Sequence, residues 1–340
     1  MSYQPAVASM SLGRAWVHQL PGKLDEAAKQ KFNGIEIFYE DLEYESKRLF
    51  GETDGLKDGN ILKTAENVRE LCKERNLVII GLQPFLHYEG LVDREEHRQR
   101  IEKLKLWFRI AKALNTDIIQ IPTNFLTSGI TGDFDTIVSD MLEVAELGLQ
   151  QQPVIRFAYE NLCWGTHIDT WKGAWDVVAA VDRPNFGMCL DTFNITGREW
   201  ADPSSINGKL VDEDADERLK RCVAEMKRTI DVKRVFYVQV VDAEKMRNPL
   251  VPGHAFHVDG QPSRMSWSRN ARLFPFEEGG YLPILDVLHA ITDPDGLDYH
   301  GWISMELFSR TMTEPQPSVP ADHAQRAMAS WKKLVEVMHW

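Results

Sequence analysis

The amino-acid sequence predicts an α/β protein whose strands, each followed by a helix, close into a (β/α)8 barrel. Short apolar, β-branched or aromatic runs recur along all 340 residues, and amphipathic segments separate them. Each run is almost continuously apolar, which is typical of parallel strands buried on both faces. Eight such units fit a closed barrel. A doubly wound open sheet is the alternative, but no G-x-G-x-x-G or G-x-x-x-x-G-K loop follows any strand.

The eight predicted strands leave room for a helix after each of them. In chain order they are PAVASMSL from Pro5, GIEIFYE from Gly34, LVIIGLQPF from Leu77, TDIIQIPTNF from Thr116, VIRFAYENL from Val154, FGMCLDTFN from Phe186, VFYVQVVDA from Val235 and GWISMELFS from Gly301.

The segments between the strands carry apolar residues at three-and-four spacing, which predicts helices. The clearest are GKLDEAAKQKF, ILKTAENVRELCKERN, DREEHRQRIEKLKLWFRIAKALN and EDADERLKRCVAEMKRTIDV, and a last helix is expected over about residues 321–339. The long seventh connection, residues 245–280, is rich in Pro, Gly, Ser and Arg, so we expect this β7–α7 loop to cover the barrel mouth. No linker interrupts the pattern, which predicts a single domain over residues 1–340.

Composition and charge narrow the class of partner. The net charge of −12 opposes binding to a phosphate backbone, so nucleic acid is not an expected partner. The N-terminal MSYQPAVASMSLG lacks the features of a secretion signal, and no window is apolar enough for a membrane span, so we expect a cytoplasmic protein without a membrane partner. The four cysteines form no C-x-x-C pair and are expected to be reduced. A homo-oligomer is compatible with this sequence.

Alternation along the last four strands predicts which side chains face the barrel axis. The helix-facing set comprises Ile155, Phe157, Tyr159, Phe186, Met188, Leu190, Phe236, Val238, Val240, Ile303, Met305 and Leu307. The inward set comprises Ala158, Glu160, Gly187, Cys189, Asp191, Tyr237, Gln239, Ser304 and Glu306.

Each of these four strands thus delivers one oxygen-bearing side chain to the C-terminal, catalytic end of the barrel: Glu160, Asp191, Gln239 and Glu306. Three carboxylates that converge in a partly dry cavity repel one another unless a cation lies among them. Three anionic oxygens, one amide oxygen and no thiolate suit Mg2+, Mn2+ or Co2+ better than zinc. The sequence therefore predicts a divalent metal site.

The strand ends YENL, LDTFN, VQVVDA and SMELF resemble the xylose-isomerase-like barrel superfamily, whose members hold a divalent metal with the last four strands. The segments GIEIFYEDL, LQPFLHYEGL, GMCLDTFNI, VQVVDAEKM and RLFPFEEGGYLP are similar to the fungal-type 3-dehydroshikimate dehydratases of quinate catabolism. The resemblance spans the whole chain.

This resemblance implies dehydration of 3-dehydroshikimate to protocatechuate, a step of quinate and shikimate catabolism. A base would remove the proton next to the ring ketone, and the metal would stabilise the resulting enolate. The β-hydroxyl then leaves and the ring becomes aromatic.

The base is not evident from the sequence. Relatives often carry His three residues after the metal Asp, where this chain has Asn194. Other relatives carry His two residues after the first metal Glu, where this chain has Leu162. His87 is the first candidate because it follows the third strand at the barrel mouth. His254 and His257 in the long loop come next, and a metal-bound hydroxide or a carboxylate can also serve.

The substrate is a small carboxylate, which calls for a cation beside the acidic site. Arginine is the usual partner because its planar fork gives a carboxylate two hydrogen bonds. The loop SRMSWSRNARLFP offers Arg264, Arg269 and Arg272. Of these we favour Arg272, together with Ser268, and Arg310 is a second choice.

Three other functions use the same scaffold. An isomerase or epimerase of a keto sugar or keto acid would need the same four ligands and the same enolate chemistry. A DNA-repair endonuclease would need more metal-binding histidines and a basic groove, which the sequence lacks. A non-catalytic barrel would keep the scaffold without the metal.

Overall fold

The computed structural model describes residues 3–212 and 214–340, and within them eight parallel strands form a closed barrel. The predicted (β/α)8 architecture is therefore confirmed. The strands are β1 Tyr3–Ala8, β2 Gly34–Phe38, β3 Val78–Gln83, β4 Ile118–Pro122, β5 Arg156–Glu160, β6 Phe186–Asp191, β7 Val235–Val240 and β8 Gly301–Met305.

Helices surround the barrel on the outside. They are α1 Leu20–Lys29, α2 Tyr39–Phe50, α3 Asp58–Glu74, α4 Arg94–Leu114, α5 Phe134–Leu149, α6 Trp171–Val181, α7 Thr192–Glu199, α8 Ala215–Thr229, α9 Ser263–Ala271, α10 Ile284–Thr292 and α11 Val319–Met338. Short 3-10 turns cover Ser9–Leu12, Asp54–Leu56, Val232–Arg234 and Arg310–Thr313. Glu213, the first residue of the predicted EDADERLKRCVAEMKRTIDV helix, lies outside the described residues.

The ends of the helices follow from local chemistry. The longest helix, α4, begins after Asp93, whose carboxylate accepts hydrogen bonds from the N–H groups of Glu95 and Glu96. It ends at Asn115, which adopts the left-handed conformation with φ of 59°. Such caps satisfy the backbone groups that a helix leaves unpaired at its termini.

The barrel closes where the first strand meets the last. β1 pairs in parallel with β8 from Tyr3 opposite Gly301 to Val7 opposite Met305, and on its other edge with β2. This closure brings residues from the two ends of the chain to one rim and leaves the barrel without an exposed edge.

Two separate apolar clusters confirm the predicted alternation. The smaller cluster fills the barrel interior and includes Ala158, Cys189 and Tyr237 from the predicted inward set. The predicted helix-facing residues are buried in the larger cluster, between the barrel and its helices. Phe236 is an exception: it was expected to face the helices, but it packs against the interior cluster near the N-terminal end of β7.

The seventh connection is more ordered than its composition indicates. It contains α9, and its Arg272–Leu273 segment pairs antiparallel with Asp242–Ala243, which follows β7. Glu244 bridges to Gly280, which holds the end of this connection close to its start. The connection therefore presents the residues around Arg272 to the barrel mouth in a fixed position.

Candidate active site

A cavity of about 380 Å³ opens at the C-terminal end of the barrel strands, the end at which such barrels carry out chemistry. Aromatic and aliphatic side chains form much of its wall, and the seventh connection contributes one side of it. The ionisable residues that line it are Arg14, Glu40, Glu160, Arg269, Arg272 and Glu306.

Three carboxylates converge beside this cavity. Glu160 and Asp191 are the last residues of β5 and β6, and Glu306 follows directly after β8. Each offers an oxygen within 4.8 Å of the others, and all three side chains are buried. The structure thus brings together three of the four predicted metal ligands in an arrangement that could hold a metal ion.

Asp191 and Asn194 fix the geometry of this cluster. The carboxylate of Asp191 caps α7, accepting a hydrogen bond from the N–H of Phe193 at 2.6 Å. The amide group of Asn194 donates to Glu160 at 2.8 Å and to Asp191 at 2.9 Å, and its oxygen accepts from the N–H of Cys163 at 3.1 Å. Because both ends of this amide are engaged, Asn194 positions the carboxylates.

Gln239 lies in the middle of an apolar strand and joins the same cluster. It is fully buried and sits opposite Asp191 in the pairing of β6 with β7. Its Nε2 donates to Glu306 at 3.0 Å and to Glu36 at 3.0 Å. Its Oε1 is buried without a hydrogen-bond partner among the described residues. That oxygen is available to a cation, which makes the donor set suitable for the predicted metal.

Glu36 was missed by the sequence reasoning. It is fully buried in the barrel and accepts hydrogen bonds from Gln83 at 2.7 Å, from Gln239 and from Ser304. Alternation on GIEIF would have found it, because the two isoleucines beside it face the helices. Gln120 was missed too, and its amide donates to Glu160 from β4.

Arg272 lies at the carboxylate cluster. Only 2% of it is exposed, and its Nη1 donates to Asp191 and to Glu306, both at 2.9 Å. Its Nε donates to Ser268 at 2.9 Å, so these two predicted substrate-binding residues lie together on the cavity wall. Arg310 is instead half-exposed and paired with Glu244 at 2.8 Å. Contact of these residues with substrate stays a prediction.

Burial dominates the electrostatics of the site. It raises the pKa of Glu160 well above its usual range, and the nearby charges of Glu306 and Asp191 raise it further. Burial also raises the pKa of Glu306 to about 8, although Arg272 opposes the shift. The pKa of Glu36 rises to about 7 for the same first reason. One guanidinium for four buried carboxyl groups leaves an excess of negative charge that a divalent cation would neutralise.

The three candidate histidines, His87, His254 and His257, lie outside the residues that line the cavity. His87 is half-buried, with Nδ1 at 3.2 Å from Asn124 Oδ1 and its ring against Phe125, which does line the cavity. Burial lowers the pKa of His87. His257 pairs with Asp259 at 3.0 Å in the seventh connection. Their catalytic roles stay predictions.

Comparisons with known proteins place this architecture in a family. The model of the family described as "Xylose isomerase-like TIM barrel" matches residues 24–335. The chain belongs to the xylose isomerase-like TIM barrel family. Among curated relatives, "3-dehydroshikimate dehydratase" from Neurospora crassa is 48% identical over 97% of this chain and 93% of its own length. The predicted resemblance to such dehydratases is thereby confirmed.

More distant relatives are larger than this chain. "3-dehydroshikimate dehydratase" from Pseudomonas aeruginosa is 28% identical over 90% of this chain, which covers 38% of that relative. A solved "xylose isomerase-like TIM barrel/4-hydroxyphenylpyruvate dioxygenase fusion protein" superposes with a TM-score of 0.73 at 25% identity, over 98% of this chain and 43% of that one. In both comparisons, nearly all of this chain matches less than half of the relative.

Two further predictions from composition can be compared with the structure. Each of the four cysteines is buried and unpaired in the structure, and the reduced state stays a prediction. Within the described ranges, no helix combines the length and the apolar character needed to cross a bilayer.

Proposed function

We propose that this chain is a metal-dependent 3-dehydroshikimate dehydratase that forms protocatechuate, 3,4-dihydroxybenzoate, by loss of water. The observation that carries this proposal is the 48% identity over nearly the full length to the Neurospora crassa protein of that name. The buried cluster of Glu160, Asp191 and Glu306 supports it, because it gives the cavity the acidic end that metal-assisted enolisation requires.

Glu160, Asp191, Gln239 and Glu306 would hold a divalent cation such as Mg2+, Mn2+ or Co2+. Three carboxylates and one amide oxygen form a hard donor set, and the unpartnered Oε1 of Gln239 is its neutral member. When bound, the cation would act as a Lewis acid that polarises the carbonyl oxygen of the substrate.

The surrounding side chains hold the site in one arrangement. Asn194 ties Glu160 to Asp191, and Gln239 ties Glu306 to Glu36. These contacts leave the carboxylates little freedom to rotate, so the site needs little reorganisation during the reaction. Apolar cavity residues such as Leu162, Trp164 and Phe308 limit the access of water to the substrate ring.

The candidates for the proton-transfer group are chosen by their position relative to the cavity and by the ionisable group that they carry. His87 and His257 remain candidates, although neither lines the cavity. Glu40 lines the cavity itself, and its Oε2 is buried without a hydrogen-bond partner in the described structure. Burial raises the pKa of Glu40 although Arg14 opposes the shift, so this carboxyl group can exchange a proton nearer neutral pH than an exposed glutamate.

The proposal is tested by supplying the purified protein with 3-dehydroshikimate and Mg2+, Mn2+ or Co2+ and following the ultraviolet absorbance of the aromatic product. We expect product formation that EDTA abolishes. Glu160→Gln and Glu306→Gln should each reduce kcat by about a hundredfold or more, because each removes a charge that the metal requires.

The control is Glu102→Gln, which removes an exposed carboxylate paired with Lys105 on α4. It should retain full activity. Absence of an aromatic product from the wild-type protein with every metal would overturn the dehydratase assignment. Full activity of metal-free protein would overturn only the metal requirement.

A further inference from the structure

Two arginines on the cavity wall have no carboxylate partner. Arg14 follows the 3-10 turn after β1, and Arg269 lies in α9 of the seventh connection. Both line the same cavity, and within the described residues neither forms an ion pair. Arginine carries five N–H donors and keeps its charge in proteins, so a cavity-facing arginine without an acidic partner favours an anionic ligand.

The side chain of Arg14 is held by neutral groups. Its Nη1 lies 2.9 Å from the sulfur of Met10, and its guanidinium stacks over the rings of Trp16 and Phe308 at 5.4 and 5.7 Å. Burial lowers the pKa of Arg14 and the charges of Glu40 and Asp41 oppose that shift, but neither carboxylate forms an ion pair with it in the described ranges. These contacts orient the guanidinium and leave most of its donors free.

Arg269 lines the cavity from α9, in the seventh connection. Its Nη1 donates to the amide oxygen of Gln261 at 2.8 Å, and this is its one side-chain hydrogen bond to the described residues. Burial lowers the pKa of Arg269, and the charge of Arg14 lowers it further. The two guanidinium groups, which line the same cavity, therefore repel each other, and an anion bound to both would reverse that unfavourable interaction.

Arg272 differs from Arg14 and Arg269 because its positive charge is already paired with carboxylates. It is already bonded to Asp191 and Glu306 at the acidic end of the cavity. The ring of Phe308 lies near both guanidinium groups, 5.1 Å from that of Arg272 and 5.7 Å from that of Arg14. The cavity wall thus carries Arg272 within the carboxylate cluster, and Arg14 and Arg269 outside it without an ion pair among the described residues.

We propose that Arg14 and Arg269 form the anion subsite that binds the ligand carboxylate, an assignment that rests on the proposed function for the identity of that ligand. In 3-dehydroshikimate the carboxylate lies across the ring from the ketone and its neighbouring hydroxyl. A ring whose oxygens face the cluster of Glu160, Asp191 and Glu306 therefore points its carboxylate away from that cluster. Arg14 and Arg269 supply the positive charge at that position.

The test compares protocatechuate with catechol, which is the same ring without the carboxylate. Isothermal titration calorimetry measures the binding of each to the metal-loaded wild type, Arg14→Gln and Arg269→Gln. We expect each variant to weaken protocatechuate binding by about tenfold to a hundredfold, as for the loss of a charge-assisted hydrogen bond. Catechol binding should be unchanged, and for 3-dehydroshikimate KM should rise much more than kcat falls.

Arg98→Gln is the matched control because it removes an arginine that is 69% exposed on α4, outside the cavity. It should bind both ligands like the wild type. Arg14→Lys keeps the charge without the planar fork and should bind protocatechuate with intermediate affinity, which provides a second measurement if Arg14→Gln does not fold.

Benzoate binding separates this inference from the proposed function. If the wild type binds benzoate and both glutamine variants lose it, the subsite is supported even when no protocatechuate is formed. If the wild type forms protocatechuate but both variants bind it normally, the subsite is overturned and the function stands. Equal weakening of protocatechuate and catechol would also overturn it, since that result indicates a general structural role.

Discussion

Gln239 illustrates how a buried polar residue reports on its neighbours. An amide in an apolar strand is costly to bury unless it is hydrogen-bonded. The structure gives its Nε2 two carboxylate partners, Glu36 and Glu306, which fixes the direction of the amide. The remaining oxygen then has no partner among the described residues, which is the arrangement expected of a metal ligand.

Glu89 is a buried carboxyl group outside the proposed metal cluster. Its Oε1 accepts hydrogen bonds from the N–H of Asn124 at 2.5 Å and from the hydroxyl of Tyr159 at 3.1 Å. Burial raises its pKa to about 7, and the charge of Asp140 adds to the shift, although the hydrogen bonds oppose it. The group is therefore protonated in the native state under conditions where it ionises in the unfolded chain.

Substitution of Glu89 by Gln should change the pH dependence of stability. Between the unfolded pKa of 4.5 and the folded pKa of about 7, the native state binds more protons than the unfolded state. The free energy of unfolding of the wild type should therefore fall by roughly 3 kcal/mol as pH rises through this window, through this group alone. Glu89→Gln removes that contribution, as urea unfolding at pH 5 and pH 8 would measure.

Other groups titrate in both the wild type and Glu89→Gln. The measurement that matters is therefore how much the pH dependence of the free energy of unfolding differs between them. Glu89→Gln should lose less stability than the wild type between pH 5 and pH 8. Parallel stability curves would show that Glu89 ionises in the native state as readily as in the unfolded chain.

At the scale of elements, alternation along the strands decides most of the site. Glu160, Asp191 and Gln239 lie on the inner face of neighbouring strands because consecutive side chains point to opposite faces, and Asp191 is directly opposite Gln239. The helices must then pack closely enough to hold the strands in register. Gly148 marks a point of close packing. Its helix, α5, packs directly against β5, which carries Glu160.

Substitution of Gly148 by Ala should destabilise the packing of α5 on β5. A Cβ there would lie 2.6 Å from the carbonyl oxygen of Ile155 and 2.6 Å from the ring of Phe157, so the helix must shift. We expect a loss of about 1–3 kcal/mol in the free energy of unfolding, measured in urea. Activity should also fall if the shift of α5 displaces β5 and with it Glu160.

Gly59 in α3 is the matched control for this change. No atom lies within 4 Å of a Cβ at that position, so Gly59→Ala should be neutral or stabilise by about 0.4–1 kcal/mol. Equal effects of the two substitutions would contradict the packing argument.

For the whole molecule, the predicted metal links the site to global stability. The cluster gathers side chains from four strands, so a bound cation connects distant parts of the barrel. A ligand that binds only the native state stabilises it by about 2.7 kcal/mol at a hundredfold excess over its Kd. EDTA should therefore lower Tm and Mn2+ should restore it, as calorimetry or circular dichroism would measure.

Gln239→Leu should fold but show a smaller Tm shift and a lower metal content after dialysis, because it removes one ligand. Glu102→Gln, on the exposed face of α4, should show the full shift. A melting temperature that responds neither to chelation nor to added metal would contradict a structural link between the cation and the barrel.

The sequence by itself determined the barrel and the inward set of Glu160, Asp191, Gln239 and Glu306, because alternation and apolar periodicity are local properties. The same rule extends to Glu36. Only the tertiary structure decided that Arg272 pairs with the carboxylate cluster while Arg14 and Arg269 meet across one cavity. Such contacts join loops far apart in the chain, and side-chain positions in these loops follow from tertiary packing, which no local periodicity encodes.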